Sequence, residues 1–75
     1  MRRTYPPYNG KKYLLNMQTN ELHDLDNETS NCQIDKISKT HVHMFDTLQE
    51  AQIYLTFAGK QLNGCYWCLH AKDKG

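Results

Sequence analysis

Long apolar runs are missing from this sequence, although a membrane-spanning helix needs about 20 consecutive, mostly apolar residues. The basic pair Arg2 and Arg3 is not followed by the apolar segment of a secretory signal peptide. Charge of one sign is also scarce, because nine Lys and Arg residues against eight Asp and Glu residues give a net charge of +1. We therefore expect a cytoplasmic protein without a membrane span, and without a field strong enough to attract nucleic acid by net charge alone.

The chain has only three cysteines, an odd number, at positions 32, 65 and 68. An odd count without a leader argues against a disulfide framework, and a Cys-x-x-Cys in a reducing compartment is more often a metal or redox pair. The chain has 75 residues, which is enough for one domain. A core of this size rarely contributes more than ~3–5 kcal/mol, so we expect an additional stabilising link.

The chain divides into three segments by composition. Residues 1–11 hold both prolines and the turn pair Asn9-Gly10, and this composition predicts a flexible N-terminal arm. Residues 12–70 carry the strand and helix patterns of one domain. Residues 71–75 are small and charged, which is typical of a frayed C-terminal tail.

The domain segment predicts an α+β fold. Residues 13–17 and 21–25 form a hairpin in which period-two alternation separates Leu22 from His23, and residues 41–45 form a third strand. Thr47 and Glu50 match a capping box at the start of a helix over 47–58, with Gly59 placed as its left-handed cap. Ile34 and Ile37 lie at helical spacing and predict a short turn between the second and third strands.

A cysteine and histidine pattern predicts a metal site. Cys65-x-x-Cys68 follows Asn63-Gly64 and has the form of a zinc knuckle, which supplies two of the four ligands of a structural zinc site. Cys32 is the remaining thiol. The fourth ligand has four candidates, namely His23, His41, His43 and His70. We favour His23, because it ends the second strand next to the loop that carries Cys32. The other three also fit strand or surface positions.

The motifs also resemble those of the small Ada-like zinc-binding domains. The matching segments are Tyr13-Leu14-Leu15-Asn16, Glu21-Leu22-His23, Cys32, Phe45-Asp46-Thr47-Leu48-Gln49-Glu50-Ala51 and Asn63-Gly64-Cys65-Tyr66-Trp67-Cys68. The resemblance covers about residues 12–68 and implies a structural zinc ion held by His23, Cys32, Cys65 and Cys68. Basic residues that are common in the knuckle of the family are replaced here by Tyr66 and Trp67, which reduces the charge available to contact phosphate.

The sequence thus favours a non-catalytic zinc-binding module, monomeric or weakly dimeric, that recognises a protein or nucleic-acid partner. Tyr66 and Trp67 are either a partner surface or a cover over the metal. The alternative is a redox or alkyl-accepting protein that uses Cys65 and Cys68. Redox pairs of the thioredoxin type begin a helix, whereas this pair follows one. Iron is also compatible with a sulfur-rich tetrahedral set.

Overall fold

The computed structural model describes residues 2–69. Its regular elements in that range are four short strands and one α-helix, in the order β1 (Tyr13–Asn16), β2 (Glu21–Asp24), β3 (Val42–Phe45), α1 (Leu48–Phe57) and β4 (Asn63–Gly64). Four short 3-10 turns lie between β2 and β3. The strands form one mixed sheet in the order β3-β1-β2-β4. The predicted α+β class is confirmed. No helix within residues 2–69 is long and apolar enough to cross a membrane.

The predicted hairpin is present as the antiparallel pair β1 and β2. Leu14 lies opposite His23 and Leu15 lies opposite Leu22, so the strand alternation places His23 and Leu22 on different faces of the sheet. Asn20 closes the turn in a left-handed conformation (φ 61°), which asparagine tolerates better than most residues. The hairpin register therefore decides that His23 lies on the face away from the helix.

The third strand pairs antiparallel with the other edge of β1 and aligns Met44 with Leu14. It starts one residue later than predicted, because His41 belongs to the 3-10 turn Lys39–His41. The turn predicted around Ile34 and Ile37 is also present, as the 3-10 turn Ile34–Lys36.

Helix α1 begins after Thr47, whose side-chain oxygen accepts the Glu50 backbone N–H at 3.1 Å. In a complete capping box the Glu50 side chain also accepts the Thr47 backbone N–H, whereas here the Glu50 carboxylate accepts the Thr47 hydroxyl at 3.2 Å. Gly59 follows the helix with φ +72°, as predicted. Ala58, the last residue of the predicted helix range 47–58, is the exposed C-terminal cap.

The short strand β4 was not predicted, because asparagine and glycine are depleted in strands. It pairs parallel with β2, with Asn63 opposite Glu21 and Gly64 opposite Leu22. This pairing places the residues that follow Gly64 directly beside β2.

The sheet separates two apolar cores. The core on the helix side contains Leu15, Leu22, Phe45, Ala51 and Leu55. The core on the opposite side has no α-helix among the described residues and is closed by the loop between β2 and β3 and by the knuckle. Its buried members are Tyr8, Leu14, Leu25, Cys32, Ile34, Met44, Cys65 and Cys68. All three cysteines thus lie in the core that lacks a helix.

Part of the predicted N-terminal arm packs against this second core. Tyr8 is only 3% exposed, and the Gly10 N–H donates to the Arg3 carbonyl at 2.7 Å. The Arg3 guanidinium also donates two hydrogen bonds to the Glu28 carboxylate, each 2.9 Å long. The domain limits at residues 12 and 70 remain a prediction, and the predicted tail at 71–75 lies outside the described residues.

Candidate metal centre

Four potential ligands come together on the face of the sheet that is away from the helix. They are His23, Cys32, Cys65 and Cys68, and their ligand atoms all lie within 4.8 Å of one another. Each side chain is at least nine-tenths buried, and His23 is only 2% exposed. These are the four residues proposed from the sequence.

Three successive residues of strand β2 position three of the four potential ligands. The Leu22 carbonyl accepts the Cys65 backbone N–H at 2.8 Å, which continues the pairing between β2 and β4. His23 projects its ring to the site. The Asp24 backbone N–H then donates to the Cys68 sulfur at 3.3 Å. A single four-residue strand therefore supplies one ligand and fixes the position of two others.

The knuckle has the backbone arrangement expected of a thiolate pair. The Trp67 backbone N–H donates to the Cys65 sulfur at 3.4 Å, and the Leu69 N–H donates to the Cys65 carbonyl at 2.8 Å. Hydrogen bonds from N–H groups favour the charged form of a group that accepts them. The knuckle backbone therefore supports deprotonated sulfurs, the form that binds metal ions.

Cys32 reaches the site from the 3-10 turn Ser30–Cys32, which follows β2. The Thr29 hydroxyl caps this turn by accepting the Asn31 N–H at 3.3 Å, and it also lies 3.8 Å from the Cys32 sulfur. Gln33 leaves the turn in a left-handed conformation with φ 54°. The eight residues between His23 and Cys32 thus form a structured loop that returns to the sheet face.

Two of the separations between ligand atoms are close to those of a tetrahedral zinc site. Zn–S bonds of about 2.3 Å and Zn–N bonds of about 2.0–2.1 Å place tetrahedral sulfur pairs about 3.8 Å apart and sulfur–nitrogen pairs about 3.6 Å apart. The observed distances are 3.7 Å from Cys32 Sγ to Cys65 Sγ and 3.7 Å from Cys68 Sγ to His23 Nδ1. All three cysteines are free thiols, since a disulfide requires a sulfur separation of about 2.05 Å. The cluster is therefore placed to bind a metal ion.

Burial controls the protonation of the ligands when no cation is bound. It raises the pKa of the Cys65 and Cys68 thiols and lowers the pKa of His23 to about 4, an effect that the negative charge of Glu28 partly opposes. His23 is thus a neutral imidazole at pH 7, ready to bind a metal. A divalent cation offsets the cost of three buried thiolates, and the filled site carries a net charge of −1.

The other candidate histidines are not part of the cluster in the described residues. His43 stacks on Phe45 with ring centroids 4.6 Å apart and also contacts Tyr54, on the helix side of the sheet. His41 lies in the turn that precedes β3. His70 lies outside the described residues.

Tyr66 and Trp67 are partly exposed in the knuckle. They are 55% and 52% exposed, and their rings form an edge-to-face pair with centroids 5.0 Å apart. About half of each residue therefore faces solvent, and the choice between a partner surface and a cover over the metal remains a prediction.

Two acidic residues near the cluster were missed by the sequence analysis. The Asp24 carboxylate is buried and accepts hydrogen bonds from the Asp26 N–H and the Asn27 amide. These bonds fix the start of the loop that connects β2 to Cys32. Glu21 lies two residues before His23, and its Oε1 is 3.5 Å from His23 Nε2. Strand periodicity would have placed Glu21 on the face of His23, since residues i and i+2 share a face.

Comparison with known proteins gives no significant match to a protein-family model, a curated protein or a solved structure. The resemblance to Ada-like domains therefore rests on the motif residues alone, whereas the four-residue cluster rests on the structure.

Proposed function

We propose that this protein is a non-catalytic zinc-binding module in which one structural zinc ion is held by His23, Cys32, Cys65 and Cys68. The observation that carries the proposal is the buried cluster of three sulfurs and one nitrogen, whose ligand atoms all lie within 4.8 Å of one another. Structural zinc sites use four protein ligands, whereas catalytic sites keep a position open for water or substrate. A site with four buried side-chain ligands leaves no such position. The zinc site and the motif order also support the Ada-like hypothesis.

Native mass spectrometry, with elemental analysis of the same sample, tests this proposal. We expect one zinc ion per chain in the wild-type protein and loss of stoichiometric zinc in Cys65→Ser, which removes one of the three sulfurs. Iron in place of zinc would keep the site but change the metal, and a folded protein that binds neither ion would contradict the proposal.

We further propose that the exposed pair Tyr66 and Trp67 is the partner surface and that the partner is a protein. Aromatic residues are enriched at protein interfaces. The knuckle Cys65–Cys68 carries no Lys or Arg, so it offers little to a phosphate backbone. Trp67 fluorescence titrated with single-stranded DNA at low salt tests the choice. We expect no quenching, while saturable quenching that Tyr66→Ala weakens would assign the surface to nucleic acid.

The redox or alkyl-accepting alternative requires a reactive thiol. A redox pair without a metal needs a thiol of lowered pKa, but burial raises the pKa of both Cys65 and Cys68 when no cation is bound. Cys65 and Cys68 follow strand β4 and do not lie at the start of a helix. We expect the thiols of the zinc form to react slowly with a disulfide reagent until a chelator is added, and one fast thiol in the zinc form would favour the alternative. Free thiols and zinc are compatible with the reducing cytoplasm proposed for this chain.

A further inference from the structure

We propose that Glu21 is a positioning residue of the metal centre, which accepts the Nε2 proton of His23 and so directs Nδ1 to the metal. This inference rests on the proposed function, because it specifies how the histidine of that same site is oriented. It assigns a role to a carboxylate outside the four ligands.

The two nitrogens of the His23 ring face different groups. Nδ1 is 3.7 Å from the Cys68 sulfur, at the separation of two ligands of one tetrahedral ion. Nε2 is 3.5 Å from Glu21 Oε1 and points to the rim of the site. A ring in this orientation presents Nδ1 to the cluster.

Strand geometry places Glu21 where this role requires it. Glu21 and His23 occupy alternate positions of β2 and therefore share the face that carries the metal centre. Both residues line a polar groove at the edge of the centre, together with Asn63 and Lys36. The Glu21 side chain is 37% exposed, whereas that of His23 is 2% exposed, so the carboxylate borders solvent and the imidazole does not.

The distance of 3.5 Å is longer than an ordinary N–H···O hydrogen bond of about 2.7–3.2 Å. The bond forms if the Glu21 carboxylate lies a few tenths of an ångström closer to Nε2 in the zinc-loaded protein.

The position of Glu21 affects metal binding because the His23 ring is a neutral imidazole. Only one ring nitrogen carries a proton, so a carboxylate that accepts the proton at Nε2 leaves the lone pair of Nδ1 free for the metal. Carboxylate partners of metal-bound histidines also raise the basicity of the ligand nitrogen, and their loss typically reduces metal affinity about 10-fold to 100-fold. Glu21 would therefore select both the ring orientation and the coordinating nitrogen.

Nitrogen NMR of the His23 ring in the zinc-loaded protein gives a direct test. We expect zinc on Nδ1 and the proton on Nε2. Zinc on Nε2 would overturn the inference but leave the proposed function in place, whereas a wild-type protein that binds no metal would overturn both. This test uses the wild-type chain and does not depend on the folding of a variant.

Zinc competition with a chromophoric chelator provides the second test. We expect Glu21→Leu to lose about 10-fold to 100-fold in zinc affinity, and Glu21→Gln to retain more affinity because its amide oxygen still accepts the Nε2 proton. Asp46→Asn is the charge control, since Asp46 is an exposed acidic residue whose carboxylate lies 3.6 Å from the Lys11 ammonium. Equal affinities for Glu21→Leu and Asp46→Asn would refute the positioning role.

Discussion

Removal of the metal should unfold the domain. Three of the eight buried residues of the core without a helix are cysteines, and His23 borders them. A core in a chain of this size contributes about 3–5 kcal/mol, whereas structural zinc in small peptides binds with about 10–16 kcal/mol at pH 7. A zinc ion bound at this cluster would thus be the larger stabilising contribution. We expect a chelated or Cys65→Ser protein to lose its cooperative thermal transition.

Circular dichroism melts and the spread of amide resonances measure this loss. Ala51→Ser is the control, because it places a hydroxyl at a fully buried position of the other core. That hydroxyl should cost about 1–3 kcal/mol and leave both zinc binding and a sharp transition intact. A Cys65→Ser variant that melts as sharply as the wild type would refute the reasoning that couples metal binding to folding.

Three further outcomes concern the remainder of the fold. Tyr8→Ala should lower the free energy of unfolding, measured by chemical denaturation, by about 3 kcal/mol because Tyr8 is buried. Tyr5→Ala should lower it by less than about 1 kcal/mol, because Tyr5 is 52% exposed. Equal effects of the two substitutions would show that the N-terminal segment does not pack. Thr47→Ala should cost about 1 kcal/mol through the lost N-cap, and Thr56→Ala on the same helix should cost less. Burial lowers the pKa of His23 to about 4 in the folded chain, against about 6.5 in the unfolded chain, so the zinc-loaded protein should be most stable above about pH 6.5 and lose stability as the pH falls toward 4. A melting temperature that stays constant over this range would contradict the burial of a neutral imidazole at position 23.

The features that follow from local chemistry could be predicted from the sequence. The hairpin, the threonine N-cap of α1 and the left-handed Gly59 depend on neighbouring residues. The separation of His23 from Leu22 follows from strand periodicity, whereas the hairpin register, seen only in the structure, decides that His23 lies on the face away from the helix.

The features that depend on distant contacts could not be predicted. Strand β4 exists because Asn63-Gly64 pairs with β2, and two residues with low strand propensity give no local indication of it. Tyr8 packs in the core because Arg3 and Gly10 fold its segment back, although the prolines and the turn pair indicated an arm. Cys32 reaches the cluster through successive 3-10 turns, which have no strong periodic pattern.

X-ray absorption spectroscopy at the zinc edge of the purified protein tests the central claim most directly. The account predicts three sulfur neighbours at about 2.3 Å and one nitrogen neighbour at about 2.0–2.1 Å, with the nitrogen contribution lost in His23→Ala. A zinc ion with oxygen neighbours in place of sulfur, or a nitrogen contribution unchanged in His23→Ala, would contradict the ligand set of His23, Cys32, Cys65 and Cys68.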